Sequence, residues 1–359
     1  MEQMQIDQVF HPERPVTEER SLVGRDMEVE KAVQRLSTHG GHVLLSGNRG
    51  IGKTSVARVA ESVLRKLNPD YMAHYIPCDS ITRFSDIAES CILDTPNLIV
   101  TNIPASPAKV ASLLAPRPGF LLLDEIDLMQ ERERVLLAEF MKALSDQATK
   151  FSVCVIGVAR TATEIFAGHL SVHRCLNEIN VRRLDDREIQ RIVVDGFEKL
   201  GYAVPDGLST DVAKLSRGFP SNAVLLCRYV AEHLARRNLP ALDESGFDQG
   251  LHSFLDERGR ATREVLTRIA VHDKLRHKQA IMFAAGLLEL DEFTYDELLI
   301  AAKSRAAIEK RVFENVCLTF CIEGPEQVFG NPRAGLLRFL DPRMPMILHV
   351  MEYLRLGRG

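Results

Sequence analysis

Residues 47–54 read GNRGIGKT, an unbroken match to G-x-x-x-x-G-K-[ST] carried by Gly47, Gly52, Lys53 and Thr54, with Gly50 as a further glycine. A bound phosphate needs backbone N–H groups converging on a small bowl, and glycines allow the positive-φ turns that build one. Asn48, Arg49 and Ile51 complete the bowl, and Ser55 comes directly after it. Lys53 is placed for the β- and γ-phosphates of a nucleotide, and the Thr54 hydroxyl for Mg²⁺. The flanks agree with this reading. His42–Ser46 is a short apolar run of the kind that forms a buried parallel strand. After the loop, Val56, Val59, Ala60, Val63, Leu64 and Leu67 recur at helical spacing. Strand, glycine loop and helix together aim a helix N-terminus at phosphate.

Hydrolysis needs more than a phosphate cradle. Gly119–Leu123 is a second apolar strand, and it delivers Asp124 and Glu125 at its end. Asp124 is placed beside Thr54 to hold Mg²⁺, and Glu125 to polarise an attacking water. Asp127 stands near them, with capping of the next helix as its competing role.

Outward from these motifs the pattern alternates. Val29, Ala32, Val33 and Leu36 mark a helix closed by Gly40-Gly41, residues 71–78 read as a strand, and residues 81–91 as a helix. Residues 94–118 are Pro-rich, with a short helix near 109–114. Leu137, Phe140, Met141 and Leu144 mark another helix, and Phe151–Val158 another buried strand. Strands alternating with helices predict an α/β fold, a parallel sheet sandwiched by helices. From about residue 183 to 238 the signals are helical, with Gly218-Phe219-Pro220 as a break. Residues 241–250 read as a polar connector. More helices come next, then strand-like runs near 319–323 and 335–340 and a last helix. The expected organisation is a loose arm over 1–20, a nucleotide-binding core over 21–182, a helical lid over 183–240 and a further domain over 241–359.

The composition, 45% hydrophobic and 26% charged over 359 residues, is that of a soluble globular chain with room for two or three domains. A net charge of −4 supplies no global field toward nucleic acid or anionic membrane. The seven cysteines follow no C-x-x-C spacing and read as reduced thiols of a cytoplasmic protein. Cys317 and Cys321 stand at i, i+4, but no second pair of Cys or His matches them as a metal site. Neither a signal peptide nor a membrane span is expected.

With Leu22-Val23-Gly24-Arg25, the loop at 47–54, LLLDEID at 121–127 and Val155-Ile156-Gly157-Val158, the chain resembles an AAA+ ATPase of the initiator, origin-recognition-like branch. The resemblance covers residues 20–240 well. It extends more weakly to the C-terminus, where Leu337–Pro342 is similar to the last strand and helix entry of a winged-helix domain. It implies that Val23, Gly24 and Arg25 lie by the adenine of ATP and that residues after 183 form the lid. It also implies that Arg174 acts across a subunit interface as an arginine finger, with Arg182 and Arg183 as rivals, in an oligomer formed with ATP. Two positions depart from the family. The polar residue after the fourth strand falls in Ala159-Arg160-Thr161, leaving Arg160 or Thr161 as substitutes. The usual lid arginine is absent at Gly218-Phe219-Pro220-Ser221. A Gly-x-Pro there is similar to signalling ATPases of the STAND type, in which the proline, here Pro220, touches the nucleotide.

For the C-terminal part the candidate DNA-reading helix spans 304–316, with Ile308, Val312 and Val316 inward and Arg305, Lys310 and Arg311 outward. Residues 241–359 carry 16 Lys+Arg against 18 Asp+Glu, a balance of −2, so the sequence allows double-stranded DNA as a partner without demanding it. Two readings remain open. One is an ATP-hydrolysing protein that couples nucleotide state to DNA or a protein partner. The other is a slow-hydrolysing switch that docks a protein.

Overall fold

The computed structural model describes residues 3–95, 100, 102, 104, 106–158, 162–166, 170–271, 276–288, 292–324, 326–331 and 335–356. Two compact units emerge: residues 13–184, and residues 1–12 together with 185–359. In chain order, α1 (Gln3–Val9) comes first. The 13–184 unit then runs α2 (Asp26–Leu36), β1 (His42–Ser46), α3 (Lys53–Leu67), β2 (Met72–Pro77), α4 (Phe84–Leu93), α5 (Pro107–Leu114), β3 (Gly119–Asp124), α6 (Glu131–Asp146), β4 (Phe151–Gly157), α7 (Ala162–Ile165) and β5 (Leu176–Asn180).

The five strands form one parallel sheet in the order β2-β3-β4-β1-β5. Every residue of β1, β3 and β4 is buried, because helices cover both faces. Leu44, Leu121, Leu123, Val153 and Val155 share one core with α4, α5 and α6. The helix α3 buries Val56, Val59, Ala60 and Leu64, whereas Leu67 at its last turn is exposed. His42 at the start of β1 is fully buried. Its Nδ1 accepts the Val153 N–H (3.0 Å), so Nε2–H donates to the Met141 carbonyl (2.8 Å). Parallel strands all end on one edge, which brings the segments after Ser46, Asp124 and Gly157 together.

The second unit continues with α8 (Asp186–Lys199), α9 (Asp206–Ser216), α10 (Pro220–Arg237), α11 (Glu244–Arg258), α12 (Arg260–Val271), α13 (His277–Leu287), β6 (Phe293–Thr294), α14 (Tyr295–Lys303), α15 (Lys310–Cys321), β7 (Phe329–Gly330), β8 (Leu336–Phe339) and α16 (Met344–Leu356). The three short strands pair antiparallel in the order β6-β8-β7. Phe293, Phe329 and Phe339 pack ring to ring at their centre, with Phe320 of α15 against Phe329.

Four expectations need correction. Residues 1–20 do not begin as a loose arm. Ile6 and Phe10, one helical turn apart, are buried, Phe10 packs against Phe197 of α8 in a tilted ring pair (centroids 5.1 Å apart), and Asp7 pairs with Arg228 of α10 (2.9 Å). Residues 244–250 belong to α11 rather than to a connector. Asp243 caps that helix, and Gly250 lies so close to Val230 that an added Cβ would meet its Cα at 2.6 Å. The strand-like run at 319–323 is no strand, since Thr319, Phe320 and Cys321 form the last turn of α15. The helix sought at 304–316 is two pieces. Ser304 closes α14, and a new helix starts at Lys310, after Ile308 has packed into the core. No helix among the described residues is long and apolar enough to cross a membrane.

Candidate nucleotide site

The loop after β1 has the backbone its sequence calls for. Gly47, Gly50 and Gly52 hold φ of 141°, 78° and 98°, and a Cβ on Gly47 would meet the Val181 carbonyl oxygen at 2.8 Å. Lys53 and Thr54 form the first turn of α3, so its free N–H groups face the loop. Lys53 is buried, and its Nζ donates to the Gly47 and Asn48 carbonyls (2.8 and 2.9 Å). Burial draws its pKa down to about 8, against the pull of Asp124 and Asp127, which still leaves it mainly charged at pH 7.

The neighbouring β3 supplies the carboxylates. The Thr54 hydroxyl donates to Asp124 Oδ2 (2.8 Å), joining the two residues expected at the metal although they are 70 positions apart. The Tyr75 hydroxyl of β2 donates to the same oxygen (3.2 Å), and the Arg58 guanidinium lies over the Tyr75 ring at 3.7 Å. Tyr75 has its pKa raised to about 12, by burial first and then by Asp124, so it stays a donor. Hydroxyl and carboxylate oxygens meeting at one point are the hard donors that Mg²⁺ prefers, so the residues fit that ion. Glu125 takes a left-handed backbone (φ 54°, ψ 40°), unusual for a residue with a Cβ. Its N–H donates to Asp124 Oδ1 (2.9 Å), and Arg49 Nη2 donates to its Oε1 (2.9 Å).

The other expected residues have the following surroundings. Arg25 is almost fully buried, and its Nη2 donates to the Ile51 and Arg182 carbonyls (3.0 and 2.7 Å), tying the loop to the end of β5. Its Nη1 also lies 3.4 Å from Glu28 Oε1, so the guanidinium has structural partners within the unit. Gly24 turns with φ 67°, Val23 is half-buried, and the Ser55 hydroxyl accepts the Val16 N–H (3.1 Å). A cleft of about 500 Å³ between α2 and α3 is lined by Leu22, Arg25, Val29, Val33, Val59 and Val63, among others. Asp127 does not cap α6. Its carboxylate accepts the Val158 N–H just past β4 (3.0 Å). Arg174 is exposed at the end of a 3₁₀ turn, Leu170–Arg174. Arg160 and Thr161 lie outside the described residues. Pro220 opens α10 in the other unit, where Arg217 donates to the Leu288 carbonyl. The sequence reading missed Tyr75, whose approach to Asp124 depends on strand register: Pro77 stands opposite Asp124, and Tyr75 two places back.

Residues 43–183 match the family described as ATPase family associated with various cellular activities (AAA). That stretch is similar to an AAA domain. No curated protein matches the chain. Solved structures share its whole fold at low identity. The Walker-type ATPase PABY2304 of Pyrococcus abyssi superposes with a TM-score of 0.55 at 16% identity, over 95% of this chain and 99% of that one. The ORC2 protein of Aeropyrum pernix gives 0.55 at 14%, over 97% and 98%. The ORC1 protein of the same organism, solved in complex with DNA, gives 0.53 at 17%, over 97% of each chain. The chain therefore shares the fold of these three structures.

Proposed function

We propose that this protein binds ATP with Mg²⁺ and hydrolyses it, coupling nucleotide state to a macromolecular partner. The observation that carries the reading is the convergence of Thr54 and Asp124 at 2.8 Å, with Lys53 in the loop and Glu125 one residue on. Thr54 and Asp124 would hold Mg²⁺, which supplies charge neutralisation across the β- and γ-phosphates. Lys53 and the loop amides bind those phosphates. Glu125 accepts a proton from water as the water oxygen bonds to the γ-phosphorus. The bond from that phosphorus to the β–γ bridging oxygen breaks, and ADP leaves with the electron pair. Arg174, exposed and charged, suits a finger reaching the nucleotide of a second copy, and Val23-Gly24 beside the α2–α3 cleft suits the base.

The order α13, β6, α14, α15, β7, β8, with β8 between β6 and β7, supports a winged-helix reading of the C-terminal part. The ORC1 neighbour solved with DNA makes double-stranded DNA the first partner to test. A second reading has its own observation. The outer side of α15 exposes Leu318 and, just past its end, Ile322, and its Lys310 lies within 3.9 Å of Glu314. That mixture favours a protein partner over phosphate.

The test is ATP turnover with and without double-stranded DNA, with Glu125→Gln as control. Turnover abolished by the substitution, and raised by DNA in the parent chain, supports the first reading. Turnover that DNA leaves unmoved moves the search to a protein. Turnover that survives Glu125→Gln, or an absence of ATP binding, overturns the assignment.

A further inference from the structure

The loop holds two cations, and both are engaged by protein oxygens. Lys53 is held by two loop carbonyls, and Arg49 by the carboxylate that the hydrolysis reading assigns to water. The Arg49–Glu125 pair lies near the surface, with 74% and 47% of the side chains exposed. Solvent screens such a pair, so it shifts an equilibrium by about 5-fold at most. A phosphate offers the guanidinium a stronger, bidentate acceptor. The backbone of Glu125 is meanwhile fixed in its left-handed turn by the Asp124 contact, so the side chain alone is free to exchange partners.

We propose that the γ-phosphate of ATP and Glu125 compete for Arg49, so that bound ATP draws the guanidinium away and frees the Glu125 carboxylate for water. Arg49 is then a positioning residue: it restrains Glu125 until a nucleotide with a terminal phosphate is in place. An oxygen lone pair that accepts from Arg49 is not available to an O–H of water, which gives the restraint a direct chemical effect. ADP has no γ-phosphate and leaves the pair as it is. This rests on the ATPase reading above.

The test is equilibrium binding of adenylyl imidodiphosphate and of ADP to four chains: the parent, Glu125→Gln, Arg49→Gln and the double variant. Both sites are exposed, so folding is preserved. Glu125→Gln removes a negative charge near phosphate and tightens the triphosphate analogue in any background. The competition adds a further tightening of about 2- to 5-fold that exists only where Arg49 is present. Arg49→Lys restores part of this coupling, and ADP shows none. Additive effects on the analogue, or equal coupling with ADP, overturn the proposal. Additivity in a chain that still hydrolyses ATP through Glu125 sinks this inference alone, whereas a parent chain that binds no nucleotide sinks the ATPase reading with it.

Discussion

Replacing Arg25 by Met separates two roles that its position in the sequence confounds. One guanidinium nitrogen donates to the Ile51 carbonyl inside the phosphate loop and to the Arg182 carbonyl after β5. Met keeps most of the side-chain volume and removes both bonds, along with the 3.4 Å pair to Glu28. A hydrogen bond from a charged donor contributes about 1.5–3 kcal/mol. The Ile51 carbonyl is left where water scarcely reaches, whereas that of Arg182 is only part-buried, so the loss is roughly 2–4 kcal/mol. That is a large part of the 5–15 kcal/mol that typically holds a domain together. Arg25→Lys, which keeps the charge but not the fork, recovers part of it. Because the chain has two units, one unfolding curve does not describe it. The assay is guanidinium titration read by hydrogen exchange of the β1 amides, with ATP affinity measured alongside. The structure predicts loss of stability first, with loosened ATP binding as a consequence of the freed loop. A loss below about 1 kcal/mol would refute the argument, and weakened ATP binding at unchanged stability would return Arg25 to the nucleotide.

Three further outcomes are expected. Tyr75→Phe removes one of the two hydroxyls on Asp124 Oδ2 and should raise the Mg²⁺ concentration needed for tight nucleotide binding by roughly 10-fold, leaving metal-free binding unchanged. Burial draws His42 down to about 4 from an ordinary 6.5, so the unfolded chain takes up its proton first as pH falls. Stability of the 13–184 unit should therefore drop by about 3 kcal/mol between pH 6.5 and 4, and His42→Gln should flatten that slope in pH-dependent denaturation. Phe10→Ala should destabilise the 185–359 unit by about 3 kcal/mol and expose residues 3–9 to hydrogen exchange. An unchanged exchange pattern would contradict the docked α1.

The legible part of the site is the part whose chemistry is local. A phosphate bowl requires glycines in one short run, and a metal carboxylate requires an acid at the end of a buried strand, so GNRGIGKT and LLLDEID announce themselves. Arg25, Asp127 and Tyr75 were opaque because each acts at long range. Arg25 meets the carbonyl of a residue 157 positions away, and Asp127 the N–H of Val158, 31 positions on. A backbone acceptor leaves no trace in the identity of the residue that supplies it. The N-terminal segment is different. Ile6 and Phe10 at i, i+4 were a readable signal, outweighed by polar neighbours and two prolines. At α11 the glycines that let it lie against α10 imitate a linker.

The same contrast separates the residues proposed to bind nucleotide from those proposed to respond to it. On the proposed reading Lys53, Thr54, Asp124 and Glu125 each have a single chemical task. Arg49 and Tyr75 connect those residues to each other across strands and loop, and neither is demanded by a motif. An arginine at position 49 costs the phosphate bowl nothing, since its backbone N–H serves as well as any other. Its side chain is thus free to take a second partner. That Glu125 is the partner, held in a left-handed turn that an ordinary strand end would not need, places the restraint on the residue that the proposed hydrolysis assigns to water.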